Sequence, residues 1–169
     1  MNESTLVISF SGGRTSGYMT RQVLEHKRLE FKNVHVIFAN TGLENEETLD
    51  FVHQCDVQFG FNTIWVEAVT NHQRGVGVTH KVVTYETASR NGEPFEAIIR
   101  RRNYLPNPVS RFCTVEMKVR AIHRYLKSIG WTEWDSMLGI RADEPRRLAK
   151  IGNQDYGKHE EKVAPLGVA

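Results

Sequence analysis

With 169 residues, 40% of them hydrophobic and 25% charged, the chain is long enough to bury a core and is expected to form a single domain over residues 1–169. No apolar run approaches a membrane span, the N-terminus lacks a charged-then-apolar leader, and two cysteines, Cys55 and Cys113, give no disulfide framework. A cytoplasmic chain without membrane partners is therefore expected. The net charge of +2 conceals an asymmetry: residues 100–150 carry 12 Lys/Arg against 5 Asp/Glu, a net of +7, which leaves −5 for the remainder. Such a stretch suits the phosphates of a small ligand or of a nucleic acid, or else forms a solvated helix face.

The chain opens on an apolar run, Thr5–Phe10, followed by Ser11-Gly12-Gly13-Arg14-Thr15-Ser16-Gly17. The run predicts a buried strand, and residues 14–27 a helix with Tyr18, Met19, Val23 and Leu24 as its apolar positions. A strand that turns through two glycines into a helix N-terminus is built for an anion. The glycines admit close backbone approach, the first helical N–H groups point outward unpaired, and the helix dipole favours negative charge. Ser11, Thr15 and Ser16 add hydroxyl donors, and Arg14 adds a planar cationic fork. No Gly-Lys-Ser/Thr occurs, and Gly12-Gly13 with Gly17 does not fit a dinucleotide fingerprint.

Strands over 34–39 and 63–67, with a helix around 45–58 between them, complete a βαβαβ rhythm. That rhythm predicts a mostly parallel sheet with helices on both faces. Asn40-Thr41-Gly42 leaves the second strand, where a polar residue beside a glycine suits ligand contact; Glu46 and Glu47 fall in the first turn of the next helix. Residues 71–110 read as loops around a short helix near 94–102. A helix over 115–129 follows, with Thr114 as N-cap and Met117, Ala121, Ile122 and Tyr125 on one face. Cys113 beside Arg111 at this helix start is expected to have a lowered pKa, the plain alternative being a small buried thiol.

Trp134–Leu138 predicts a further strand that delivers Gly139-Ile140-Arg141-Ala142-Asp143-Glu144-Pro145-Arg146-Arg147 at its carboxyl end. In open α/β sheets ligands bind beyond the carboxyl ends of strands, which singles out 11–16, 40–48 and 139–147. Arg141, with Arg146 and Arg147, is placed to grip an anion, and Asp143 or Glu144 to hold Mg²⁺ between phosphates. Trp65, Trp131 and Trp134 read as core or strand-edge packing. No zinc-type spacing and no Gly-x-Ser-x-Gly elbow is present.

The first loop resembles the PP-loop of the ATP pyrophosphatase superfamily, Ser-Gly-Gly-x-x-Ser. Within it, Ser9-Phe10-Ser11-Gly12-Gly13-Arg14-Thr15-Ser16 is most similar to phage and bacterial chains grouped with phosphoadenosine phosphosulfate (PAPS) reductases. The family's Lys-Asp is here Arg14-Thr15. Its Asp-Thr-Gly…Pro-Glu-Thr matches at Thr41, Gly42, Glu47 and Thr48, whereas Asn40 and Glu46 depart from it. Cys113, Lys118 and Arg120 match a segment that carries a Cys-Cys pair in cluster-binding reductases; two cysteines in all cannot supply a four-thiolate iron–sulfur cluster. Gly139 and Arg141 match a Gly-x-Arg loop over the nucleotide's anionic end. The resemblance spans about residues 5–150, while the Glu-Cys-Gly tail of the reductases is lacking, so a C-terminally shortened member is expected.

The resemblance implies a Rossmann-like, adenine nucleotide alpha hydrolase-like α/β domain that binds ATP or a related adenine nucleotide with Mg²⁺ and without an iron–sulfur cluster. The implied nucleotide ligands are Ser9, Ser11–Ser16, Asn40–Gly42, Arg111, Gly139 and Arg141, with Arg14, Lys118, Arg141 and Cys113 as catalytic candidates. Cleavage at the α-phosphate with pyrophosphate release is the first expectation. Sulfonucleotide reduction is the second, and a non-catalytic nucleotide-binding module in phage–host or DNA-modification systems the third. The host cytoplasm is the setting if the chain is phage-encoded; homo-oligomerisation stays open.

Overall fold

The structure is a computed structural model and describes residues 5–71, 73, 77–107 and 109–139 and the backbone of 160–163. The elements in order are β1 (Thr5–Ser9), α1 (Arg14–His26), a 3₁₀ turn (Arg28–Glu30), β2 (Asn33–Asn40), α2 (Glu46–Phe59), β3 (Ile64–Thr70) and β4 (Val78–Val83). Then follow α3 (Glu93–Arg102), a π-helical segment (Cys113–Arg120), α4 (Ala121–Ser128), β5 (Trp134–Leu138) and β6 (Glu160–Val163). They form two compact units: one from the described residues of Met1–Ile37, Phe51–Thr63 and Thr132–Ala169, the other from those of Phe38–Asp50 and Ile64–Trp131. β2 and α2 each run through both.

In the first unit the strand order is β2-β1-β5-β6, every pair parallel. β1 is flanked on both sides, which is why Leu6, Val7 and Ile8 form an unbroken apolar run, all buried. Phe10 continues it into an aromatic cluster, its ring edge-on to Phe51 at 6.2 Å and to Phe61 at 5.6 Å. α1 packs close here because residue 17 is glycine: a Cβ there would lie 3.1 Å from Phe51 Cζ. The buried face of α1 is Ser16, Gly17, Met19, Thr20 and Val23. Met19 and Val23 agree with the expected apolar positions, but Tyr18 is 50% exposed and Leu24 only half-buried. Small residues, which an apolar pattern does not register, make up most of the contact face; Thr20 satisfies its hydroxyl on Ser16 C=O at 2.8 Å.

In the second unit the order is β4-β3-β2. β3 pairs antiparallel with β4, Trp65 opposite Val83 and Thr70 opposite Val78. Trp65 is buried against Phe38 at 4.8 Å and Tyr85 at 6.0 Å, as its strand position suggests. β4 lies in the region expected to be loop, and its antiparallel pairing departs from the otherwise parallel order. The short helix appears as α3, ended by Asn103 at φ +59°. The single helix expected over 115–129 is instead the π-helical segment followed by α4. It starts at Cys113 with Phe112 at the N-cap position, and Thr114 does not cap it. Met117, Ala121, Ile122 and Leu126 are buried, while Tyr125 is half-buried. Among the described residues no helix is long and apolar enough to cross a membrane.

Candidate functional site

Within the first unit, β1 sits between β2 and β5, so the strand order reverses around it. The chain leaves β1 through Gly12, whose φ of +75° is strained for any side chain, and enters α1 at Arg14. Gly13 occupies the N-cap position in extended conformation and supplies no side-chain cap; the first turn carries no acid. The first helical bond is Gly17 N–H to Gly13 C=O at 2.9 Å, which leaves the amides of Arg14, Thr15 and Ser16 ahead of it without intrahelical acceptors. α2 is the internal contrast, since Glu46 and Glu47 meet its dipole from within the chain. α1 brings no such charge and presents an exposed Arg14 instead. Its N-terminus is therefore a surface of unpaired donors at the positive end of the helix dipole.

Ser16 braces this loop from within. It is buried; its Oγ accepts the Ser11 N–H at 3.2 Å, lies 2.8 Å from Ser11 Oγ and donates to Gly13 C=O at 3.0 Å. With that proton committed, Ser11 Oγ–H donates to Ser16 and offers its lone pairs outward. What the loop leaves outward is thus its backbone amides and Arg14, with Thr15 half-buried beside them. Gly139, just past β5, presses on the same turn: a Cβ there would meet Ser16 Cα at 3.0 Å and Ser16 Cβ at 3.1 Å. Ser9 pairs with Ile37 and Leu138 as the last β1 residue. Arg141, Asp143, Glu144, Arg146 and Arg147 lie outside the described residues.

The second unit holds a separate polar cluster. Asn40 is fully buried; its Nδ2 donates to Glu67 Oε1 at 2.7 Å and Ser89 C=O at 2.9 Å, and its Oδ1 accepts the Gly42 N–H at 3.1 Å. Glu67, also fully buried, accepts further bonds from Ser89 N–H at 2.6 Å and Ser89 Oγ at 2.8 Å, and pairs with Lys81 Nζ at 2.8 Å. Burial alone pushes its carboxyl up, but Lys81, Ser89 and Asn40 together outweigh this and hold it below the ordinary carboxylate range. The network accounts for the amide at position 40. An ionised carboxylate there would set its charge against Glu67 Oε1 at hydrogen-bond distance. Asn40 thus fixes the turn to Gly42, at φ +81°, where a Cβ would meet Pro94 Cδ at 2.8 Å.

Glu67 is the residue that sequence reasoning passed over. Its signal was one carboxylate inside the apolar run Ile-Trp-Val-Glu-Ala-Val, a place where an unpaired acid is not stable. Lys118 Nζ lies 3.6 Å from Glu44 Oε1, which also accepts the Thr41 hydroxyl at 3.0 Å. Arg111 is exposed and Cys113 half-buried. Cys55 is buried, and burial, reinforced by Asp56, pushes its thiol up. Among the described residues there is no group of three His, Cys, Asp or Glu able to hold a metal ion.

The model of the phosphoadenosine phosphosulfate reductase domain matches residues 5–167. A curated relative, the uncharacterized nin region protein ORF290 of Escherichia phage lambda, is 31% identical over 146 residues, covering 84% of this chain and 50% of the relative. The chain thus spans about half the length of that relative. The domain model takes in the Gly12–Gly13 turn, the uncapped α1 start and the parallel strands that present them, and the chain belongs to the phosphoadenosine phosphosulfate reductase domain family.

Proposed function

We propose that the chain binds ATP or a related adenine nucleotide with its anionic end on the loop Ser11–Ser16, and cleaves it at the α-phosphate. The observation that carries this reading is the α1 N-terminus, with free first-turn amides, no cap, no acid in the first turn and an exposed arginine. In the reaction an oxygen of water or of a second substrate bonds to the α-phosphorus as the bridging bond to the β-phosphate breaks. Pyrophosphate leaves with the electron pair. Negative charge gathers on that leaving group, where fixed amides and Arg14 stabilise it without reorganising.

Mg²⁺, when bound, neutralises phosphate charge, and Asp143 and Glu144 are the side chains proposed to assist it, with phosphate and water oxygens supplying its other ligands. From the resemblance, Arg111, Lys118 and Arg141 are proposed as further anion ligands. Asn40 serves by positioning Gly42.

Sulfonucleotide reduction is the second reading, favoured by the description of the matching domain. It requires a thiolate that attacks the substrate sulfur and is released by exchange. Cys55 is buried with a raised pKa, and Cys113 is held at the first residue of a helical segment. The 169-residue chain is accordingly expected not to release sulfite from PAPS.

Product analysis separates the readings. Incubation with ATP and Mg²⁺ should give AMP and pyrophosphate; ADP and phosphate as sole products would overturn the α-phosphate reading. Sulfite release with thioredoxin, lost in Cys113→Ser, would put reduction first.

A further inference from the structure

Between Glu96 and Glu133 the chain holds eight Lys/Arg and a single acid, Glu116. That acid does not reach the surface. Glu116 is 1% exposed, and its Oε1 accepts from the Arg102 guanidinium, at the end of α3, and from Arg120 Nη1 at 3.2 Å. Two cations thus converge on one buried carboxylate, joining the end of α3 to the π-helical segment and leaving the trio with a net positive charge.

The stripe continues onto α4. Arg120, Arg124 and Lys127 are spaced i, i+4 and i+7, so they share one helical face, opposite the buried Ala121, Ile122 and Leu126. Beside the stripe, the turn after α3 carries Tyr104, 44% exposed, and Leu105, 68% exposed. Tyr104 is not a loose side chain. Its hydroxyl lies 3.0 Å from Ser110 Oγ, and its ring stands edge-on to the buried Phe112 at 5.3 Å. An aromatic ring pinned at its tip and exposed beside a row of cations is a stacking platform next to a phosphate track.

We infer that this face, from the end of α3 through the π-helical segment to α4, docks a single-stranded nucleic acid. The strand's phosphates would run along Arg102, Arg120, Arg124 and Lys127, and a base would stack on Tyr104. Charge complementarity carries the choice of a polyanion, and the pinned aromatic ring carries the choice of a single strand over a duplex, whose bases are already stacked. The inference uses none of the residues of the loop Ser11–Ser16 and stands apart from the nucleotide-cleavage reading.

The test is fluorescence anisotropy of the full chain with a labelled 20-nucleotide single strand of mixed sequence, the corresponding duplex, and phosphatidylserine vesicles. Single-strand binding should weaken with salt. Arg124→Gln with Lys127→Gln, at exposed positions, should make the log–log salt slope shallower by about 1.4, which is ~0.7 for each lost charge. Tyr104→Ala should weaken single-strand binding by about five- to a hundredfold, while Tyr104→Phe, which keeps the ring, should restore most of it. Gly13→Val, in the nucleotide loop, should leave strand affinity unchanged. No strand binding at low salt, unchanged affinity in the charge and Tyr104→Ala variants, or binding of vesicles but not of the strand would each overturn the inference; tighter binding of the duplex would overturn the choice of a single strand.

Discussion

Asn40→Asp gives the sharpest test of the buried network, because it exchanges one atom type and leaves shape unchanged. In the native chain Asn40 Nδ2 donates to Glu67 Oε1 at 2.7 Å, and neither residue is exposed. The substitution removes a hydrogen bond to a charged acceptor, worth about 1.5–3 kcal/mol. It also sets two carboxylates side by side, and charges about 4 Å apart at an effective dielectric near 20 repel by about 4 kcal/mol. Uptake of one shared proton relieves the repulsion and raises the pKa of the pair. The sign of the pH dependence therefore inverts. Native Glu67, with its pKa held down, adds stability that is present above the unfolded carboxylate range and lost as pH falls through the folded pKa. In the variant the raised pKa makes stability fall as pH rises through it. The penalty relative to the native chain should be about 5.5–7 kcal/mol at pH 8, where both terms act, and about 2 kcal/mol at pH 5, where the shared proton removes the repulsion. Urea unfolding followed by tryptophan fluorescence reads this directly, since Trp65 lies in the same strand as Glu67. Asn40→Ala, which adds no charge, should lose stability by the same amount at both pH values. A penalty for Asn40→Asp that is equal at pH 5 and pH 8 would refute the reasoning.

Gly139→Ala should cost about 1–3 kcal/mol, because its Cβ would press on the backbone of Ser16 at 3.0 Å, and it should weaken ATP binding in calorimetry by displacing the loop. Ser16→Ala should lower the melting temperature and loosen ATP binding together, whereas Ser11→Ala, at an exposed position, should leave the melting temperature nearly unchanged. His80 has its pKa lowered by burial, so the stability it contributes is complete above the unfolded histidine value of about 6.5 and declines as pH drops below it. His80→Phe, which preserves the edge-on contact with Tyr125, should flatten the melting-temperature profile between pH 7.5 and 5.5.

Much of the fold was legible because its central strands are doubly covered. Thr5–Ser9 and Asn33–Asn40 carry apolar runs of strand length rich in β-branched residues, and Trp134–Leu138, with Asp135 and Ser136 inside it, is marked by its apolar ends and the glycines on either side. The edges were not legible. Val78–Val83 mixes histidine and lysine into a short strand behind a glycine, and Glu160–Val163 is three-quarters charged, both properties that protect an exposed edge and erase the strand signal. The π-helical segment reads as α-helix in the sequence because its only buried residues, the adjacent Glu116 and Met117, set no period that would tell the two helices apart. At the loop, sequence pointed to the glycines, Arg14 and the hydroxyls, but hydroxyl chemistry alone cannot tell a donor to a ligand from a strut. Only the tertiary position of Ser16 against Ser11 and Gly13 assigns it. Asn40 and Glu67 are twenty-seven residues apart, and their bond is a product of strand neighbours that no local pattern encodes.

The central claim is that the unpaired amides at the start of α1 receive the nucleotide's anionic end. Titration of ¹⁵N-labelled chain with ATP, read as amide chemical-shift changes beside an adenosine control, tests it most directly. The account predicts large shifts at Gly12, Gly13, Arg14, Thr15 and Ser16 with ATP, little change there with adenosine, and loss of the ATP response in Gly13→Val. That variant should fold normally, since a Cβ at Gly13 meets only Ser11 Oγ at 3.6 Å. ATP-induced shifts that leave residues 12–16 untouched, or that persist in folded Gly13→Val, would contradict it.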